Sequence, residues 1–112
     1  MKSTFTIHLG SPPSNPRLDE HDRVSVIHKI TCYFDSFTLT EGKRYANGRF
    51  EDTLLIHIAT QYSNAVAELA HTLRKTFSND SVGIDHGGRY IEASEGVSID
   101  ALTDRLKHVV GS

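Results

Sequence analysis

Segments with the hydrophobic period of a strand alternate with segments that have the period of a helix. The order of these segments restricts the fold more than any other feature of the sequence. Apolar and polar residues alternate one by one in segments 4–9, 37–40 and 51–60, the pattern of strands with one buried face. Two shorter segments, 81–84 and 90–93, predict a fourth and a fifth strand. Segments with helical spacing separate these strands, so the sequence predicts strands and helices mixed along one chain.

The predicted first helix lies between the first and second strands. Asn15 followed by Pro16 is a helix-start signal, with asparagine as the N-cap and proline at the first helical position. The β-branched run 24–27 is also compatible with a strand, so both alternatives stay open for this segment. The positions with helical spacing are Val26, Ile27, Ile30, Tyr33 and Phe34.

Two further helices are predicted from capping residues and from apolar spacing. Ser63 predicts the N-cap of the second helix, and Ser98 predicts the start of the third. The apolar positions are Val66, Leu69, Ala70, Leu73 and Phe77 in the second helix and Leu102, Leu106 and Val109 in the third.

The order strand–helix–strand–strand–helix–strand predicts an α+β, ferredoxin-like (split βαβ) sandwich. This fold has an antiparallel sheet with helices on one face, and the sequence adds a C-terminal hairpin and helix. Asn47 and Gly48 predict the turn of the hairpin that joins the second and third strands. With 112 residues, the chain is expected to form a single ferredoxin-like domain over residues 1–112.

The composition excludes several classes of function. Lys and Arg number 12 against 14 Asp and Glu, so the chain lacks the basic surface of a general nucleic-acid or anionic-membrane binder. The single cysteine, Cys32, excludes an internal disulfide, and its place in the predicted first helix indicates a small core residue. No apolar run has the length of a membrane span, and the first residues lack the apolar stretch of a signal peptide. We therefore expect no nucleic-acid partner, no membrane and a cytoplasmic location.

Alternation also divides the strand residues between two faces of the predicted sheet. The face away from the helices, called the open face below, is polar, contains few charges and is rich in β-branched residues. Two interpretations stay open: a solvated face with high strand propensity, or a subunit interface that places ligand sites between subunits. The residues predicted to face the helices are Phe5, Ile7, Leu9, Phe37, Leu39, Leu54, Ile56, Ile58, Val82 and Ile84, and those on the open face are Thr4, Thr6, His8, Thr38, Thr40, Glu51, Thr53, Leu55 and His57.

Seven histidines raise the question of a metal site, but their spacing does not support one. None shows the His-x-His or His-Glu-x-x-His spacing that brings two imidazoles onto one ion. His8 and His57 become neighbours if their strands pair, without further evident ligands. We therefore expect no metal site and no cofactor.

The predicted hairpin over 38–53 combines aromatic, acidic and basic residues. Tyr45 and Glu51 flank its turn, so a tight hairpin is expected to bring the phenol ring and the carboxylate close together. Both groups attract positive charge, which predicts a pocket for a cation. The alternative is a charged, solvated hairpin with a tyrosine at its rim. Asp52 falls on the core-facing side of the strand and is predicted to be a turn or capping residue.

Three short motifs between residues 39 and 93 resemble the small phage-encoded S-adenosylmethionine (SAM) lyases, formerly described as SAM hydrolases. The connection between the first two motifs is several residues shorter than in the family pattern. The motifs are Thr40-x-Gly42-x-x-Tyr45, Glu51-x-Thr53 at the start of a strand, and the run 77–80 between a helix and the next strand.

The resemblance implies a set of site residues. Glu51 and Tyr45 are the implied catalytic residues. The glutamate would hold the substrate's ammonium, and the tyrosine ring would line the pocket for its sulfonium or methionyl portion. Asn79, Thr40 and Gly42 are the implied substrate-binding residues, and the amide of Asn79 would hold the adenine or the ribose.

The resemblance also implies a reaction and an assembly. Such lyases resemble the PII-like trimers and bind their substrate between subunits. They convert SAM to 5′-methylthioadenosine and homoserine lactone by intramolecular displacement, without a cofactor. The implied partners are SAM and further copies of the chain in a homotrimer. The implied role is a phage counter-restriction activity in the cytoplasm of the host cell.

Three functions from different classes therefore stay open. The first is the lyase activity just described. The second is a non-catalytic phage nucleotide-binding protein, a sponge or a PII-like sensor, that holds a ligand between subunits. Lys43, Arg44 and Arg49 favour this second function, because a phosphate-bearing ligand requires cations. The third is a structural or interaction domain without a small ligand.

Overall fold

The computed structural model describes residues 2–46 and 48–107 as a five-stranded sheet with three helices. The elements are β1 (Ser3–Gly10), α1 (Glu20–Thr31), β2 (Thr38–Ala46), β3 (Arg49–Thr60), α2 (Ser63–Thr76), β4 (Ser81–His86), β5 (Arg89–Ser94) and α3 (Ile99–Lys107). All neighbouring strands are antiparallel, in the order β2-β3-β1-β4-β5. This confirms the predicted α+β, ferredoxin-like fold, to which β5 and α3 are added. Across the described ranges, no helix has the length and apolar character needed to cross a membrane.

One face of the sheet packs against the helices and forms the hydrophobic core. Burial of each large apolar side chain there contributes about 1.5–3 kcal/mol, which is why strict alternation predicts the buried face so well. Phe37 and Leu39 pack against this core and stay half-buried. The predicted core residues that are fully buried are Phe5, Ile7, Leu9, Leu54, Ile56, Ile58, Val82 and Ile84.

The first helix begins later than the sequence predicts, with Asp19 rather than Asn15 as its N-cap. The Asp19 side chain accepts a hydrogen bond from the Asp22 amide (2.8 Å), and the Asp22 side chain accepts one from the Asp19 amide (3.0 Å). This capping box satisfies two of the amides that are left unpaired at a helix start. The segment 24–27 is helical, so its strand alternative is wrong.

Asn15 lies instead in a loop that Asp52 ties to β3. The Asn15 side chain accepts a hydrogen bond from a backbone amide two residues further on (3.1 Å). The Leu18 amide donates to Asp52 Oδ2 (2.8 Å), and the Asp52 amide donates to the Pro16 carbonyl (2.7 Å). These bonds hold the loop against β3 up to Leu18, so the helix starts after it. Asp52, predicted to be a turn or capping residue, thus binds the loop before the helix, and Asp19 is the cap.

Further predictions at helix ends have mixed outcomes. Ser63 is the first residue of α2 rather than its cap, and Tyr62 occupies the N-cap position without a side-chain hydrogen bond. Cys32, predicted to be a core residue, is exposed, because α1 ends just before it. Ser98, predicted to start α3, lies just before its first residue and accepts a hydrogen bond from the amide three residues on (3.1 Å). Val109 lies outside the described residues.

The hairpin of β2 and β3 is longer than predicted. The sequence places the second strand over 37–40, whereas β2 extends to Ala46 and pairs there with Arg49. The turn therefore contains two residues. Gly48 has a φ of +78°, the left-handed conformation that such a turn requires, and Asn47 lies outside the described residues.

Candidate functional site

The open face of the sheet is lined by small and polar side chains. Strand pairing places His8 between Leu55 and Gly83, and it places Thr53 opposite Gly10. Residues of this face predicted from the sequence are exposed or half-buried, as expected for a face without helices. Above Gly10 no atom lies within 4 Å of the place a Cβ would take, whereas the space above Gly83 is filled by the Tyr90 side chain.

A cavity of about 590 Å³ lies over this face and receives residues from all five strands. Its volume falls in the range of small-molecule sites, roughly 300–1,000 Å³. Three carboxylates, Glu51, Asp80 and Glu92, line it together with two cations, Lys43 and Arg44. Lys43 forms an ion pair with Asp52, so the balance of charge in the cavity is acidic.

Glu51 lies on β3 and lines this cavity, with its side chain 14% exposed. Its carboxylate is 3.6 Å from Arg44 Nη2 and 3.4 Å from Arg49 Nη2. Both are ion pairs at the long end of their range, Arg49 also donates a long hydrogen bond, and both arginines are exposed, so these contacts are weak. The carboxylate therefore keeps capacity to bind a cationic group.

Asn79 enters the same cavity from the segment that follows α2. Shortly after the helix ends, Ser78 is left-handed (φ +53°), and the Asn79 amide donates to the Arg74 carbonyl (2.9 Å). The Asn79 side chain donates from Nδ2 to the Gly10 carbonyl (3.0 Å), which fixes the side chain beside the end of β1. Two residues singled out from the sequence, Glu51 and Asn79, thus line one cavity.

Tyr45 lies away from this cavity, contrary to the expectation that the hairpin brings it close to Glu51. The two-residue turn pairs Tyr45 with Phe50 and Arg44 with Glu51. Because paired residues share a face and consecutive residues alternate, Tyr45 and Glu51 lie on opposite faces of the sheet. Tyr45 is 65% exposed and packs edge to face on Phe50, with ring centroids 5.1 Å apart.

Thr40 and Gly42 lie on the open face but outside the lining of the cavity that contains Glu51. Thr40 Oγ1 is 3.2 Å from His57 Nε2, and Thr6 Oγ1 is 3.2 Å from His57 Nδ1. Gly42 pairs with Thr53 and lines a smaller neighbouring cavity of about 360 Å³.

The histidine neighbours expected from the sequence bind different groups. His57 contacts the two threonines above, whereas His8 Nε2 is 2.6 Å from Asp85 Oδ2. In the part of the chain that the structure describes, no three His, Cys, Asp or Glu side chains are grouped so as to hold a metal ion.

Tyr90 also lines the cavity, although no motif in the sequence predicted a site residue there. It pairs with Asp85, and its ring meets His8 edge to face, with centroids 5.7 Å apart. Partial burial, together with the negative charges of Glu92 and Asp85, raises the pKa of Tyr90 above its ordinary value. The sequence signal for Tyr90 was alternation, because it neighbours the buried Ile91 and therefore points to the other face of its strand. Alternation alone did not show which strand lies beside β5.

Solved structures that share this fold include two of phage SAM lyase. One, in complex with S-methyl-5′-thioadenosine, has a TM-score of 0.55 and 20% identity, over 83% of this chain and 89% of that chain. Another, in the apo state, has a TM-score of 0.57 and 16% identity, over 86% of this chain and 91% of that chain. No protein-family model matches the sequence, and no curated protein matches it significantly. At these identities the likeness concerns the fold, and at that level it confirms the resemblance predicted from the sequence.

Proposed function

We propose that this protein is a SAM lyase that converts SAM to 5′-methylthioadenosine and homoserine lactone. The observation that carries the proposal is the cavity on the open face, where Glu51 and Asn79 meet in an acidic lining. SAM carries a sulfonium and an ammonium, and both cations suit such a lining. The shared fold with phage SAM lyases supports the same function.

The proposed reaction is an intramolecular displacement. A carboxylate oxygen of SAM attacks the γ-carbon of its own methionyl chain, and a C–O bond forms as the C–S bond breaks. The bonding electron pair goes to sulfur, so the leaving group is neutral 5′-methylthioadenosine. Holding the chain in this bent geometry supplies most of the acceleration, since positioning alone contributes up to about 7–11 kcal/mol.

The proposed residue roles follow from the geometry of the cavity. Glu51 holds the substrate's ammonium, because its weak arginine contacts leave its carboxylate able to bind a cation. Asn79 uses its side-chain oxygen for the adenine or ribose, since its Nδ2 already donates to a backbone carbonyl. Thr40 and Gly42 lie beside this cavity and complete the substrate-binding face.

Tyr45 has a place in this reaction when the protein is a homotrimer with the substrate between subunits. Within one chain, Tyr45 lies on the opposite face from Glu51. Its exposed ring at the hairpin tip is suited to reach the methionyl portion of a substrate held by a neighbouring subunit. The proposed trimer uses the polar open face with Thr6, Thr38, Thr53 and Leu55, and the proposed role is counter-restriction in the cytoplasm of a phage-infected cell.

The alternative, nucleotide binding without turnover, has the cavity cations Lys43 and Arg44 in its favour. These cations already have acidic neighbours, since Lys43 pairs with Asp52 and Arg44 lies near Glu51. A phosphate would have to compete with both carboxylates. The lyase is therefore the better supported function.

The deciding experiment incubates the purified protein with SAM in water enriched in ¹⁸O. The expected products are 5′-methylthioadenosine and homoserine lactone. Homoserine formed later from the lactone carries the label in its carboxyl group. Label in the homoserine hydroxyl would mean that water attacked the γ-carbon, and would contradict the lyase mechanism. Absence of turnover, together with thermal stabilisation by nucleotides, would favour the binding protein.

A further inference from the structure

We infer that Tyr90 forms the cation-selective wall of the cavity, and that its ring face receives the sulfonium of bound SAM. The inference rests on the proposed function and adds a specificity residue to it. The cavity has an acidic lining, and among its described lining residues Tyr90 is the one Phe, Tyr or Trp side chain.

Gly83 makes room for the hydroxyl end of the Tyr90 ring. A Cβ at position 83 would be 1.9 Å from the Tyr90 hydroxyl oxygen and 2.1 Å from Cζ, far inside van der Waals contact. The ring therefore crosses β4 directly above the glycine backbone. Any larger residue at position 83 must displace the ring from this place.

His8 and Asp85 hold the ring from the side. His8 Nε2 is 2.6 Å from Asp85 Oδ2, which fixes the imidazole, and the imidazole meets the Tyr90 ring at 73°. Gly83 and His8 thus bound the ring on two sides, and Tyr90 lines the cavity. A ring held in this way is preorganised to bind a ligand without first losing side-chain freedom.

The charges around the ring favour a cation. Glu92 and Asp80 line the same cavity and form no ion pair within the described ranges. Arg44 also acts on the ring, but it lies 3.6 Å from Glu51, so carboxylates outnumber cations there. An aromatic face attracts cations, and neighbouring carboxylates strengthen the attraction. SAM and S-adenosylhomocysteine share a skeleton and differ by the methyl group that makes the sulfur a sulfonium. The ring is therefore expected to favour SAM over the neutral thioether.

The test compares kcat/KM for SAM with the inhibition constant of S-adenosylhomocysteine in the full-length protein. Tyr90→Leu should lower kcat/KM for SAM by about tenfold and change the inhibition constant less than threefold. Tyr90→Phe keeps the ring face and should stay within threefold of wild type for both ligands. Gly83→Ala should reproduce the loss seen in Tyr90→Leu, and the double variant should lose no more than either single variant.

The controls separate this inference from the proposed function. Tyr62→Leu removes an exposed tyrosine outside the cavity and should leave both constants unchanged. Thermal melting of each variant checks that the fold is retained. A wild-type protein without SAM turnover would overturn the proposed function. Where the wild type turns over SAM, a Tyr90→Leu variant that keeps its rate, or weakens equally toward both ligands, would overturn this inference alone.

Discussion

The Glu51 carboxylate lines the cavity and has only weak contacts with two arginines, so its binding role is separable from any role in folding. Glu51→Gln should lower kcat/KM for SAM by about tenfold or more, because a charge-assisted contact to the ammonium is lost. The free energy of unfolding should change by about 1 kcal/mol or less, since the isosteric amide keeps the packing of the side chain and the lost ion pairs are with exposed arginines. Initial rates and chemical denaturation measure the two effects.

Glu41 offers a matched control for this substitution. It lies on β2, forms an ion pair with Arg23 (2.6 Å), and faces the opposite side of the sheet from Glu51. Glu41→Gln should therefore leave kcat/KM unchanged. A Glu51→Gln protein with the wild-type rate would remove Glu51 from the proposed site.

At the scale of elements, the start of α1 depends on Asp19. Asp19→Ala removes the capping box and should lower the melting temperature by about 3–6 °C. Asn15→Ala should have less than half that effect, because Asn15 forms only a local turn before the helix. Melting curves followed by circular dichroism compare the two. An equal or larger loss for Asn15→Ala would place the helix start at Asn15 after all.

The link between the loop before α1 and β3 should make stability depend on pH. Hydrogen bonds from the Lys43 side chain and the Leu18 amide lower the pKa of Asp52 below its ordinary value. Because the folded-state pKa is the lower one, the ionised carboxylate stabilises the fold above about pH 4, and this contribution is lost as the pH falls through the folded-state pKa. Asp52→Asn should therefore cost about 1–2 kcal/mol at pH 7.

Chemical denaturation at several pH values tests this dependence. The difference between wild type and Asp52→Asn should shrink as the pH falls from 4 toward 2. Asp35→Asn, which changes an exposed aspartate, serves as the control and should show little difference at any pH. A constant difference for Asp52→Asn down to pH 2 would contradict the role of its charge.

At the scale of the whole molecule, the polar open face predicts self-association. Light scattering at micromolar concentration should give a trimer of about 37 kDa from three chains of 12.4 kDa. Leu55→Arg places a charge on the half-buried centre of this face and should yield a folded 12.4 kDa monomer. A monomeric wild type would contradict the trimer, and would also remove Tyr45 from the proposed site.

The sequence alone was enough to predict the number of the elements, the type of all but the first helix, the buried faces of the first four strands and the ferredoxin-like architecture. These features follow from local properties. Alternation along a strand and spacing along a helix sort apolar side chains to one side, and hydrophobic burial then favours one arrangement. The placement of Glu51 on the open face followed from the same alternation.

The tertiary structure alone decided which of these residues meet. The start of α1 depends on Asp52, which is far along the chain and binds the loop before the helix. The local capping signal at Asn15 gives no information about that contact. The register of a two-residue turn separates Tyr45 from Glu51. Tyr90 reaches the cavity because β4 lies between β5 and β1 and contributes a glycine beneath the ring. Such juxtapositions arise from pairing between distant segments, which local periodicity does not encode.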